Sequence, residues 1–100
     1  FCALIHDAQH LGVTNRHLET KNHLLCQMYD RGSCQEHRSL HVGLSTFAEE
    51  FPELSGEVLS CCPSFVRLVK SAVLATDISS PNVQRLCRGK FDRVVARMEA

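Results

Sequence analysis

Apolar residues return at helical intervals along nearly the whole chain, and no two-residue alternation of the strand type is sustained anywhere. Residues 1–5 (Phe1-Cys2-Ala3-Leu4-Ile5) read as the last turns of a buried helix. A short helical piece over 15–20 follows, then another over about 22–29 with Leu24, Leu25 and Met28 as its apolar side. Arg31-Gly32-Ser33 interrupts the pattern, and Ser33 with Glu36 three residues on forms a capping box for a new helix. That helix runs over about 34–49, with Cys34, His37, His41, Leu44 and Phe47 recurring on one face. Phe51-Pro52-Glu53-Leu54-Ser55-Gly56 has the composition of a turn or loop. From about Pro63, a favoured first helical residue, a further helix carries the stripe Phe65, Leu68, Val69, Ala72, Val73 and Thr76. Ser79-Ser80-Pro81 marks a boundary. A last helix over about 82–98 repeats Val83, Leu86, Cys87, Phe91, Val94, Val95 and Met98 through Gly89. The expected fold is all-α, a compact array of several helices. Those helices bear more apolar surface than they can cover among themselves, so residues 1–100 are read as part of one larger domain, truncated at both ends.

Composition narrows the partners. Lys and Arg total 11 and Asp and Glu total 11, so no net charge draws the chain to nucleic acid or to a membrane surface. No apolar run is long enough to span a bilayer, and the apolar start is ended by a histidine and an aspartate after five residues, unlike a signal peptide. The six cysteines contain no CxxC pair, Cys61 and Cys62 are adjacent, and Cys34 and Cys87 fall at apolar positions of helical patterns. A reduced, cytoplasmic chain is expected, without a cysteine zinc site.

Chemistry concentrates in His6-Asp7-Ala8-Gln9-His10-Leu11-Gly12-Val13-Thr14-Asn15. Two imidazoles and a carboxylate within five residues suit a divalent metal of the zinc, manganese or magnesium kind. A carboxylate has two oxygens and can bridge two ions, and such pairs activate water against phosphate esters. A histidine and an aspartate near a helix end also cap backbone, so the pair alone says little. The longer spacing H-D-x-x-H-x-G-x-x-N says more. A second block, Leu74-Ala75-Thr76-Asp77-Ile78-Ser79, stands far downstream.

These blocks, together with Met28-Tyr29-Asp30 and Ser33-x-x-Glu36, occur in the order and at the gaps that resemble the catalytic domain of class I 3′,5′-cyclic nucleotide phosphodiesterases. The resemblance covers essentially the whole chain. It implies a compact helical hydrolase of HD type, acting in signal transduction, that opens the cyclic phosphodiester of cAMP or cGMP to a 5′-monophosphate. It implies that His6, Asp7 and Asp77 ligate a tightly held Zn2+, and that Asp7 also reaches a second ion, Mg2+ or Mn2+. His10 would hold metal-bound water, Glu36 would support water on the second ion, and Asn15 would fix the loop after the motif. The physical need is plain: a cyclic phosphodiester is an anion, and positive charge must offset its repulsion of an anionic nucleophile.

The family's upstream H-N-x-x-H block, which supplies a zinc histidine and the proton for the leaving oxygen, has no counterpart in residues 1–100. The purine-gripping glutamine has none either, so the chain alone is expected to be inactive or nearly so. Within the matching blocks, the family has an apolar residue and an aspartate where Ala8 and Gln9 stand. It has asparagine-histidine-histidine where His37-Arg38-Ser39 stand, and serine-valine-leucine where Ser33-Cys34-Gln35 stand. The drift around Arg38 motivates an alternative, a catalytically decayed helical module that binds a nucleotide or a protein. His17, His23, His37 and His41 are read as helix histidines rather than ligands, and Tyr29 as a packing residue. The set Arg85, Arg88, Lys90, Arg93 and Arg97 is read as a solvated helix face.

Overall fold

The computed structural model describes residues 1–29 and 32–100; Asp30 of the Met28-Tyr29-Asp30 block and Arg31 of the expected break lie outside them. Seven helices follow in order among the described residues: α1 (Cys2–Ile5), α2 (Asn15–Thr20), α3 (Leu24–Met28), α4 (Cys34–Glu50), α5 (Pro52–Cys61), α6 (Phe65–Leu74) and α7 (Pro81–Glu99). No strand occurs among those residues, and the all-α reading holds.

Helix α5 corrects the loop expected over 51–56. Phe51 is at once the C-cap of α4 and the residue before α5, with φ −130° and ψ 59°. The ring of Pro52 disfavours helical geometry at Phe51 and ends α4, yet its own fixed φ suits a first helical position. The same residue therefore stops one helix and starts the next. Gly56 costs α5 only about 1 kcal/mol of helix propensity. At α6 the first helical residue is Phe65, and Pro63 stands just outside it.

The core is small. Ile5, Leu40, Val69 and Val73 form its buried centre, bringing α1, α4 and α6 together. Beside it the rings of Phe1, Phe47 and Phe65, one from each of the same three segments, make a cluster with centroids 4.9 to 6.1 Å apart. The approach of α1 to α4 depends on Gly43: a Cβ there would stand 2.7 Å from the Cβ of Ile5.

The buried side of α4 keeps Cys34, Leu44 and Phe47 of the expected face but extends beyond it. Gln35, Ser39, Leu40 and Gly43 are buried with Cys34, whereas His41 is exposed. Polar residues turn inward because the segment after α1 needs their hydrogen bonds. Gln35 Oε1 accepts from Leu11 N at 3.0 Å, its Nε2 donates to Val13 O at 2.6 Å, and Ser39 Oγ donates to Ala8 O at 2.8 Å. Leu24 and Met28 of α3 are also exposed, as are Leu68 of α6 and Cys87 of α7. Helix α7 buries no residue, and its expected stripe is exposed at Leu86, Phe91, Val94 and Met98. Its basic residues are solvated as expected. No helix among the described residues is long and apolar enough to cross a membrane.

Candidate functional site

Asn15 is the centre of the site. It is the first residue of α2, whose N-cap Thr14 accepts a hydrogen bond from His17 N through its hydroxyl. This capped start fixes where the Asn15 side chain begins. A side-chain amide has two N–H donors and two acceptor lone pairs, and Asn15 uses all four. Its Nδ2 donates to Glu36 Oε2 at 2.7 Å and to Asp77 Oδ2 at 3.2 Å. Its Oδ1 accepts from Gln35 N at 3.2 Å and from the Cys34 thiol at 3.4 Å. One buried amide thus joins α2, the first turn of α4 and the segment after α6.

Asp77 stands in that last segment and is 7% exposed. Burial alone would raise the pKa of its carboxyl. Hydrogen bonds outweigh this and hold it below the usual carboxylate range. They come from the Ser33 hydroxyl at 2.6 Å, from the Ser79 hydroxyl at 2.6 Å and backbone N at 3.2 Å, and from Asn15. Ser33 therefore does not close the capping box expected of it. It adopts a left-handed conformation, φ 50° and ψ 44°, makes no side-chain cap hydrogen bond, and gives its proton to Asp77. A cap bond to a neutral N–H has been exchanged for a stronger one to a charged acceptor.

Thr14, Asn15, Glu36, Asp77 and Ser79 line a cleft of about 340 Å³ together with His10. The turn leading to it, at Gly12 (φ 76°), uses a conformation glycine adopts without strain. His10 Nδ1 accepts from Gly12 N at 2.9 Å, so the neutral ring carries its hydrogen on Nε2.

His6 and Asp7 lie just past α1. His6 Nδ1 meets Ala3 O at 2.8 Å, and a carbonyl can only accept, so Nδ1 is the donor. The lone pair of a neutral ring is then on Nε2, which lies 3.0 Å from Asp7 Oδ2 on exposed side chains. Two lone-pair donors at that distance need a proton or a cation between them. A histidine whose other nitrogen donates to a backbone carbonyl is the arrangement metal-bound imidazoles use. Nitrogen and oxygen donors of this kind fit zinc, and the carboxylates fit magnesium or manganese. Yet no three His, Cys, Asp or Glu side chains among the described residues are grouped closely enough to hold a metal ion. The structure brings His6 to Asp7, and Glu36 and Asp77 to one amide in a cleft shared with His10.

Several contributors are not legible as site residues in the sequence: Ser33, Ser79 and Gln35. The spacing Asp77-x-Ser79 is a signal for a side chain accepting from the backbone two residues on, and could have flagged Ser79. Two departures from the family pattern pair with each other: Arg38 Nε and Nη2 both donate to Gln9 Oε1, at 3.1 and 2.9 Å. A third, Ser39, holds Ala8 O. Of the other histidines, His23 caps α3 by accepting from Leu25 N, and His37 stacks on Tyr29 with centroids 5.8 Å apart.

The family model described as 3'5'-cyclic nucleotide phosphodiesterase matches residues 1–93. No solved structure matches the chain.

Proposed function

The chain belongs to the 3'5'-cyclic nucleotide phosphodiesterase family, and from that premise we propose that it carries the metal-binding part of a catalytic domain that hydrolyses cAMP or cGMP to the 5′-monophosphate. His6, Asp7 and Asp77 would hold the divalent ions of that domain, Zn2+ together with Mg2+ or Mn2+. The bound ions supply positive charge against the phosphodiester and a water acidic enough to ionise near neutral pH. The rest falls to the protein. His6, fixed by its bond to Ala3 O, presents Nε2 beside Asp7. Asp77 is kept ionised by its hydroxyl and amide donors. Asn15 holds Glu36 and Asp77 at one edge of the cleft. His10, with Nδ1 occupied, donates through Nε2 to a water or a phosphoryl oxygen.

The observation that carries this reading is the match over residues 1–93, within which His6, Asp7, Asn15, Glu36 and Asp77 all fall. In the same reading residues 1–100 are a central part of the catalytic domain in a cytoplasmic enzyme. The leaving-group proton and the purine pocket come from elsewhere in that enzyme. The test is hydrolysis of cAMP and cGMP by the longest available reading frame, with and without a chelator. Chelation and Asp7→Ala should each abolish turnover, and re-added Zn2+ with Mg2+ should restore it only to the unsubstituted protein. Turnover indifferent to both treatments overturns the ligand assignment.

A further inference from the structure

Cys26 on α3 and Cys34 at the start of α4 place their sulfurs 3.3 Å apart across eight positions of sequence. A disulfide needs about 2.05 Å, so closure takes a small further approach of two side chains already in contact. Their surroundings differ. Cys34 is 1% exposed, whereas Cys26 is half-buried and within reach of solvent. The single S–H of Cys34 points to Asn15 Oδ1, which leaves the Cys26 S–H to donate to the Cys34 sulfur.

We propose that Cys26 and Cys34 form an oxidation site that hydrogen peroxide closes to a reversible disulfide between α3 and α4. The thiolate of Cys26 attacks one peroxide oxygen. An S–O bond forms, the O–O bond breaks, and the departing hydroxide takes up a proton to leave as water. The sulfur of Cys34 then attacks the sulfenyl sulfur of Cys26. The S–S bond forms as the S–O bond breaks, and the Cys34 proton leaves with the hydroxide as a second water. Two thiols are oxidised and one peroxide is reduced to two waters. The order follows from exposure. Burial, aided by the neighbouring Cys26, pushes the Cys34 thiol up to about 12, so it stays protonated at neutral pH and does not compete with Cys26 for the first step.

The consequence reaches the cleft. Closure removes the proton that Cys34 gives to Asn15 Oδ1 and leaves that oxygen with Gln35 N alone. The opposite end of the same amide holds Glu36 and Asp77. The pair is thus wired to a side chain that joins three segments. The inference does not depend on the proposed hydrolysis, because the readout is mass rather than turnover.

The full chain is treated, folded, with near-stoichiometric hydrogen peroxide, its remaining thiols are alkylated, and it is digested with trypsin. Arg31 lies between the two cysteines, so peptides 22–31 and 32–38 carry one each. The expected product is a 22–31/32–38 species that dithiothreitol separates. It should accumulate while Cys61 and Cys87, both exposed, are still recovered alkylated, and Cys26→Ser should abolish it. Recovery of the two peptides unlinked, with Cys26 as sulfinic or sulfonic acid, overturns the proposal. So does linkage that appears only when the chain is unfolded before peroxide is added.

Discussion

At the scale of single residues, the decisive side chain is Asn15, whose four hydrogen bonds leave it no spare capacity. Hydrogen bonds to charged groups contribute about 1.5–3 kcal/mol each. Asn15→Ala strips donors from two carboxylates, and chemical denaturation should read a loss of about 3 kcal/mol. Asn15→Asp should cost more in the presence of a chelator, since it sets a third carboxylate against Glu36 and Asp77. Asp77 adds a pH dependence. Its folded pKa lies below the unfolded value of ~3.9, so its stabilisation is complete above that pH and fades as pH falls through the folded pKa. Ser33→Ala removes a 2.6 Å donor to the carboxylate. The acid unfolding midpoint, followed by circular dichroism in chelator, should move to higher pH, with little change in slope around neutrality.

At the scale of elements, the approach of α1 to α4 is set by the absence of a side chain at Gly43. Gly43→Ala must push Ile5 away, at about 1–3 kcal/mol by the usual cost of overpacking. Ile5→Ala with Gly43→Ala should cost less in thermal unfolding than the sum of the two single changes, because each relieves the other. The helices themselves were largely legible: α2 falls on the expected 15–20, and α4, α6 and α7 begin within two residues of their expected starts. Periodicity suffices where a helix is long. It misled at 51–56, because Pro, Ser and Gly look like a loop while Pro52 is a helix start. It reached only part of the buried side of α4, because hydrophobicity does not register that Gln35 and Ser39 must turn inward to satisfy the backbone of residues 8–13. The motif spacing pointed to His6, Asp7, His10, Asn15, Glu36 and Asp77. It carried no trace of the hydroxyl of Ser33, whose role depends on a left-handed turn and on a residue 44 positions away, whereas Ser79 binds Asp77 only two residues off, a spacing the sequence does show.

At the scale of the whole molecule, burial is unevenly shared. The core of Ile5, Leu40, Val69 and Val73 joins α1, α4 and α6, while α7 buries nothing. Local opening follows local burial. Amide hydrogen exchange of this chain should therefore find the central turns of α4 most protected, and the amides of α7 should exchange first; equal protection of both helices is incompatible with that distribution of burial. The span of the Asn15 contacts has a further result for biogenesis. Asn15 and Asp77 are 62 positions apart, with Glu36 between them. During synthesis a nascent chain emerges N-terminal end first. The histidine-rich motif is thus exposed early, while its acidic counterpart is still inside the ribosome. A translation product halted before Ser79 would hold the motif and lack the cleft.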